Sequence, residues 1–121
     1  MKVFIGIPTF NGGKVWQKAA ENIRMYSPPD TYVQVIDSGS TDDTVQIALK
    51  NCFNVVTINT KDFNHGKTRN DIVELNKNNF DVVIFLTQDA IPEPGFINNI
   101  IAAFEEPLVA CAYGRQLPHL D

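Results

Sequence analysis

At 121 residues the chain has the length of one ordinary domain, and folding at that size buries roughly two-thirds of the surface that an unfolded chain exposes. Hydrophobic residues make up 44% and charged residues 20%, a globular balance that excludes disordered, fibrous and repeat classes, and no apolar run approaches the ~18 residues of a membrane span. The net charge of -4 argues against a nucleic-acid partner, whose footprint needs a basic face.

The first segment, "MKVFIGIPTF", has one lysine and a strand-like run broken by Pro8, too short and too weakly flanked for a signal peptide. A cytoplasmic location is expected, with peripheral attachment at the inner face of a membrane left open. Residues 3 to 9 read as a first strand. Val15, Ala19 and Ile23, with Trp16 and Ala20 beside them, follow at helical spacing until Pro28 and Pro29 stop the helix. Residues 31 to 37 form a second strand ending in "DSGSTDDT", where Ser40 and Asp43 match a capping pattern that opens a helix running to about Lys50.

A third strand covers 54 to 59, followed by a polar loop and a helix from about Lys67 to Asn78. "DVVIFLTQDA" then runs five apolar residues in a row, which reads as a strand buried on both faces of a parallel sheet. After the stiff turn "IPEPG", Phe96, Ile97, Ile100, Ile101 and Phe104 make an apolar helical stripe, and residues 108 to 114 read as a fifth strand. Strands alternating with helices predict an α/β fold, a doubly wound and mainly parallel sheet, in a single domain over residues 1–121. Cys52 and Cys111 are too far apart for a CxxC motif and are expected to be reduced core residues.

In such sheets ligands bind outside the carboxyl ends of the strands. Thr9, Asp37, Ser38, Gln88, Asp89 and Arg115 fall on that rim. Asp89 suits a hard cation that takes most of its ligands from phosphate and water, or it caps the turn that follows. Asp37 suits a base N–H or a ribose hydroxyl, with Ser38 adding a contact, or it closes the strand as an Asx turn. Asp42 and Asp43 read as acids complementing the dipole of the first helical turn. In "KDFNHGKTRN", Gly66 allows close backbone approach, and Lys67 and Arg69, with Lys61 nearby, suit a diphosphate or a solvated helix start. His65 and His119 have no partner at metal-ligand spacing.

Together "IPTFN", "VIDSGSTDDT", "HGKTRN" and "LTQDAIP", in this order, resemble the nucleotide-binding half of the family 2 glycosyltransferases, inverting enzymes of the GT-A, nucleotide-diphospho-sugar transferase-like fold. "TQDA" followed by "YGRQLPH" is most similar to the bacterial rhamnosyltransferase-like members that build surface polysaccharides. The resemblance implies that Pro8 and Thr9 line the nucleotide pocket, that Asp37 and Ser38 contact base and ribose, and that Arg69 lies near base and diphosphate. Gln88 and Asp89 fall where the family carries its D-x-D-type motif, with Asp89 holding Mg²⁺ or Mn²⁺ on the diphosphate of the sugar donor. Gln88 stands where many members have a second acid, which implies weak metal binding that depends on the diphosphate.

The implied reaction is a single displacement at the anomeric carbon of a nucleotide-diphosphate sugar, dTDP-rhamnose in the subgroup, with a glycan or lipid-linked acceptor. The family's catalytic base lies downstream of the metal motif, beyond Asp121, so no catalytic base is assigned here. The chain therefore reads as a donor-binding half, and its fifth strand and "GRQLPHLD" tail imply either a C-terminal half that covers them or self-association. Two alternatives stand beside this reading: a nucleotide-binding or assembly module without turnover, and a sugar nucleotidyltransferase, which usually opens with a glycine-rich basic loop of which "NGGK" is a faint echo. A phosphorelay receiver is rejected because "PTFN" and Asn59 stand where its acids belong, and "GIPTFNGGK" lacks the dinucleotide-binding glycine pattern.

Overall fold

The computed structural model describes residues 2–106 together with 109, 111, 112, 114 and 117. Its elements in chain order are β1 (Val3–Thr9), α1 (Gly13–Tyr26), β2 (Tyr32–Asp37), α2 (Thr44–Lys50), β3 (Asn54–Thr57), a 3-10 turn (Thr60–Asp62), α3 (His65–Asn76), β4 (Val82–Phe85) and α4 (Phe96–Ala103). The four strands form one parallel sheet in the order β3-β2-β1-β4. From β1 the chain steps outward to β2 and β3, then returns past β1 to β4. The direction of winding thus reverses between β1 and β4, and that reversal opens a crevice at the strands' carboxyl ends.

Alternation along the strands sorts the core into two layers. Ile5 and Ile7 of β1 and Val33 and Val35 of β2 face one side, where they meet Trp16, Ala19, Ala20 and Ile23 of α1, Ala48 of α2 and Ile97 of α4. Phe4 and Ile36 face the other, against Ile72 of α3 with Phe80 and Tyr32 packed around them. The i, i+3, i+4, i+7 spacing of the α1 residues explains why this helix forms and which face it buries. Trp16 is fully buried, and its indole N–H donates to the Thr44 carbonyl at 3.0 Å, which ties α1 to the start of α2. On the opposite face Gly6 lets α3 come close: a Cβ there would lie 2.6 Å from Ile72 Cγ2.

Several expectations need correction. β4 is not buried on both faces: Ile84 is buried, Val82 and Val83 are half-buried and Phe85 is 38% exposed, because among the described residues β4 forms an edge of the sheet. Of the fifth strand expected over 108–114, residues 108, 110 and 113 lie outside the described residues, as do Arg115, His119 and Asp121, and the described residues 109, 111, 112 and 114 form no strand. Cys52 and Cys111 are exposed free thiols, not core residues; Cys52 ends α2 at φ 62, in the left-handed region where its side chain turns outward. Val15 leaves the α1 core stripe and is 43% exposed. Ser40 does not cap α2, which starts only at Thr44, four residues on. Among the described residues no helix is long and apolar enough to cross a membrane.

Candidate functional site

A cleft of about 490 Å³ opens at the reversal point between β1 and β4. Three chain segments line it. Pro8, Thr9, Phe10, Gly12 and Val15 come from the end of β1 and the start of α1, Phe63, His65 and Arg69 from the approach to α3 and its first turns, and Thr87, Gln88 and Asp89 from the segment after β4. Acid and cation thus border the same space, with Asp89 exposed and Arg69 half-buried.

The turn between β1 and α1 shows what this cleft does not use. Helix N-termini leave main-chain N–H groups open, and these commonly hold phosphate. Here four successive N–H groups already donate to side chains: Phe10 to Gln88 Oε1 at 2.8 Å, Asn11 to Ser40 Oγ at 2.8 Å, Gly12 to Thr44 Oγ1 at 2.9 Å and Gly13 to Asp42 Oδ2 at 3.0 Å. These four N–H groups, two ahead of α1 and two at its N-cap and first residue, are therefore already engaged within the chain.

Asp42 is exposed to solvent, yet it takes part in these contacts. Its carboxylate accepts from the Thr44 hydroxyl in a short contact, from Thr44 N–H and from Gly13 N–H, and these bonds hold it below its ordinary value of 3.8. Because the folded group has the lower pKa, its stabilisation is complete above the unfolded value and is lost as pH falls through the folded one. Asp42→Ala is expected to lower the melting temperature by about 2–4 °C at neutral pH, the effect of a weak cap. Melts at a series of pH values should show that gap closing as pH drops below 3.8.

Asp37 is completely buried, and its carboxylate is saturated from within the chain. Oδ1 accepts from Thr9 Oγ1 at 2.8 Å and Ser40 Oγ at 2.6 Å, while Oδ2 accepts from Gly39 N–H at 3.1 Å and Ser40 N–H at 2.8 Å. Ser38 also turns inward, its N–H and hydroxyl both donating to the Thr9 carbonyl. Neither residue lines the cleft; both stand behind Thr9, which does. The geometry is the Asx turn, extended into a knot that joins the ends of β1 and β2.

The two cations of α3 are separated, because residues two apart on a helix do not share a face. Arg69 lines the cleft, and its guanidinium donates to the His65 carbonyl at 3.3 Å. Lys67 instead pairs with Asp71 at 2.8 Å, a hydrogen bond and charge that raise its pKa. It borders a second, shallower hollow of about 790 Å³ beside Gly39, Ile58 and Asp62.

Of the residues predicted from sequence, Pro8, Thr9, Arg69, Gln88 and Asp89 are brought together, and Asp37 and Ser38 support them from behind. Phe10, Phe63 and His65 were missed. Two aromatics standing in polar stretches, "TFNGGK" and "KDFNHGK", were the signal that could have found them, and the Phe63 and His65 rings meet edge to face at 4.7 Å. Among the described residues no group of three His, Cys, Asp or Glu could hold a metal ion. One exposed carboxylate fits a hard cation whose other ligands are phosphate and water, and does not fit a closed protein cage.

The model of the glycosyl transferase family 2 matches residues 4–120. An O-antigen chain rhamnosyltransferase of Salmonella typhimurium, RfbN, is 45% identical over 124 residues, covering all of this chain and 39% of the relative. A second, WbaN of Salmonella anatum, is 38% identical over 117 residues, covering 95% of this chain and 37% of that protein. The chain thus spans less than half the length of the curated relatives it matches. TarS 1-349 of S. aureus, solved in complex with UDP-GlcNAc, superposes with a TM-score of 0.72 at 24% identity over 98% of this chain and 37% of that one. Glucosyl-3-phosphoglycerate synthase of Mycobacterium tuberculosis, solved with Mn²⁺, UDP and glucosyl-3-phosphoglycerate, gives 0.66 at 23% over 85% and 39%. The solved structures share the fold, and with the family model matching nearly the whole length the chain belongs to the family 2 glycosyltransferases.

Proposed function

We propose that this chain is the donor-binding part of a glycosyltransferase that takes a nucleotide-diphosphate sugar, with dTDP-rhamnose as the first candidate, for transfer with inversion to a glycan or lipid-linked acceptor on the cytoplasmic side of a membrane. The observation that carries this reading is the cleft at the β1–β4 reversal, with Asp89 and Arg69 on its walls. The rhamnosyltransferase relatives support the sugar, and the UDP-GlcNAc, UDP and Mn²⁺ bound in the structural neighbours support donor and metal.

In this reading Asp89 holds a divalent cation on the diphosphate, and a bound cation would neutralise the charge developing on the leaving group. Arg69 adds a fixed positive charge to the same space, and Thr9 and Phe10 border the nucleotide.

The test is a thermal-shift panel of UDP, dTDP and GDP, each with and without Mn²⁺. A nucleotide at 100 times its dissociation constant stabilises by about 2.7 kcal/mol, which in a domain this size moves the midpoint by roughly 10 °C. A metal-dependent shift with one nucleotide is expected. No shift with any of them would remove the donor-site reading for this chain and favour a module without turnover.

A further inference from the structure

The side-chain amide of Gln88 makes both of its hydrogen bonds to a single residue. Phe10 N–H donates to Oε1 at 2.8 Å, and Nε2 donates to the Phe10 carbonyl at 3.0 Å. The sheet explains why this residue needs a partner. The Lys2 carbonyl accepts from Asp81 and Val82 N–H and the Gly6 carbonyl from Leu86 N–H, all on the β4 side, while the Thr9 carbonyl accepts from Ser38 N–H on the β2 side. Main-chain groups of alternate residues point to opposite neighbours, so the even residues of β1 face β4.

Pro8 is the next residue in that row and has no N–H to offer. Paired register runs from Val3↔Val82 to Gly6↔Phe85, and past it the two chains part to form the cleft. Phe10 is the even residue after Pro8. Its N–H and carbonyl would be left facing the opening, and the Gln88 amide supplies the acceptor and donor that a continuing strand would have supplied. The turn is shaped around this contact: a Cβ on Gly12 would lie 3.1 Å from Gln88 Oε1 and 2.4 Å from Trp16 Cβ.

We propose that Gln88 is a positioning residue, whose amide carries the β1–β4 pairing across the break at Pro8 and thereby fixes Phe10 and the width of the nucleotide cleft. Position 88 then demands an amide. A carboxylate accepts but does not donate, so Gln88→Glu keeps the bond from Phe10 N–H and sets a charged oxygen against the Phe10 carbonyl. Once protonated, the same carboxyl donates again. The consequence for ligand binding rests on the donor-site reading above; the clamp itself does not.

The experiment compares wild type, Gln88→Leu and Gln88→Glu by amide hydrogen exchange and by nucleotide affinity in the presence of Mn²⁺, with Ile5 and Val35 amides reporting that the core is intact. Phe10 exchange should rise about fivefold to tenfold in Gln88→Leu, the effect of losing one hydrogen bond, and stay slow in Gln88→Glu. Affinity should fall in Gln88→Leu. Gln88→Glu also sets a second acid beside Asp89, so its affinity is read against its own Mn²⁺ titration and Gln88→Leu decides the role in binding. Unchanged Phe10 exchange in Gln88→Leu would overturn the clamp. Wild-type affinity of Gln88→Leu would overturn its role in binding. If wild type binds no nucleotide, the donor-site reading fails, and Phe10 exchange alone decides the clamp.

Discussion

Asp89→Asn is expected to weaken metal-dependent nucleotide binding by at least about 100-fold, while the melting temperature stays within a few degrees of wild type. The asymmetry follows from position. Asp89 is exposed beyond the end of β4, and the amide that replaces it has the same shape, so little packing is disturbed. The cleft loses its carboxylate for a hard cation, because Gln88 beside it is engaged with Phe10 and no three-residue metal cluster exists among the described residues. A neutral amide oxygen at the same place is a poorer ligand for such an ion. Titration calorimetry with Mn²⁺ alone, and with nucleotide and Mn²⁺ together, separates the possibilities. Wild type should bind Mn²⁺ weakly without nucleotide and well with it, and the variant should do neither. Tight Mn²⁺ binding by the nucleotide-free wild type would show that ligands other than Asp89 form the site.

Elements governed by local pattern were legible in the sequence, and features set by long-range partners were not. The apolar runs of β1 and β2 and the i, i+3, i+4, i+7 spacing of Trp16, Ala19, Ala20 and Ile23 specify strands and helix without reference to anything distant. β4 carries the same apolar signature, but its exposure depends on whether a neighbour covers its outer edge, which no local pattern encodes. Ser40 fits a capping pattern and yet serves Asp37 and Asn11, because the loop after β2 folds back on the turn after β1 instead of entering a helix. The cleft residues show the same division. Strand ends pointed to Thr9 and Asp89, whereas the separation of Lys67 from Arg69 needed the true phase of α3, which begins at His65. Gln88 is the sharpest case: read as a neighbour of Asp89 it is a missing acid, and only its distance to Phe10 reveals why an amide stands there.

Asp37→Ala is expected to cost about 3 kcal/mol, a large share of the 5–15 kcal/mol that holds a domain together, and to lower the melting temperature by roughly 12 °C or more. The carboxylate lies at zero exposure and accepts four hydrogen bonds. Without it the hydroxyls of Thr9 and Ser40 can rotate toward other partners, but the N–H groups of Gly39 and Ser40 are fixed by a turn in which Gly39 sits at φ 93. Both donors then lose their acceptor, and the half-buried Ser40 N–H carries the larger desolvation cost because Gly39 is exposed. Asp37→Asn should behave differently: its carbonyl can still accept from Gly39 and Ser40, and its NH₂ can donate to the two hydroxyls, so a loss of only about 1 kcal/mol is expected. Nucleotide affinity measured on both variants then separates the two roles open to this residue. If Asp37 acts by holding Thr9 and the turn after β2, affinity should follow stability, falling in Asp37→Ala and largely returning in Asp37→Asn. If instead the amide restores the melting temperature and affinity stays low, the negative charge itself acts on the ligand, and the knot around Asp37 must open when nucleotide enters.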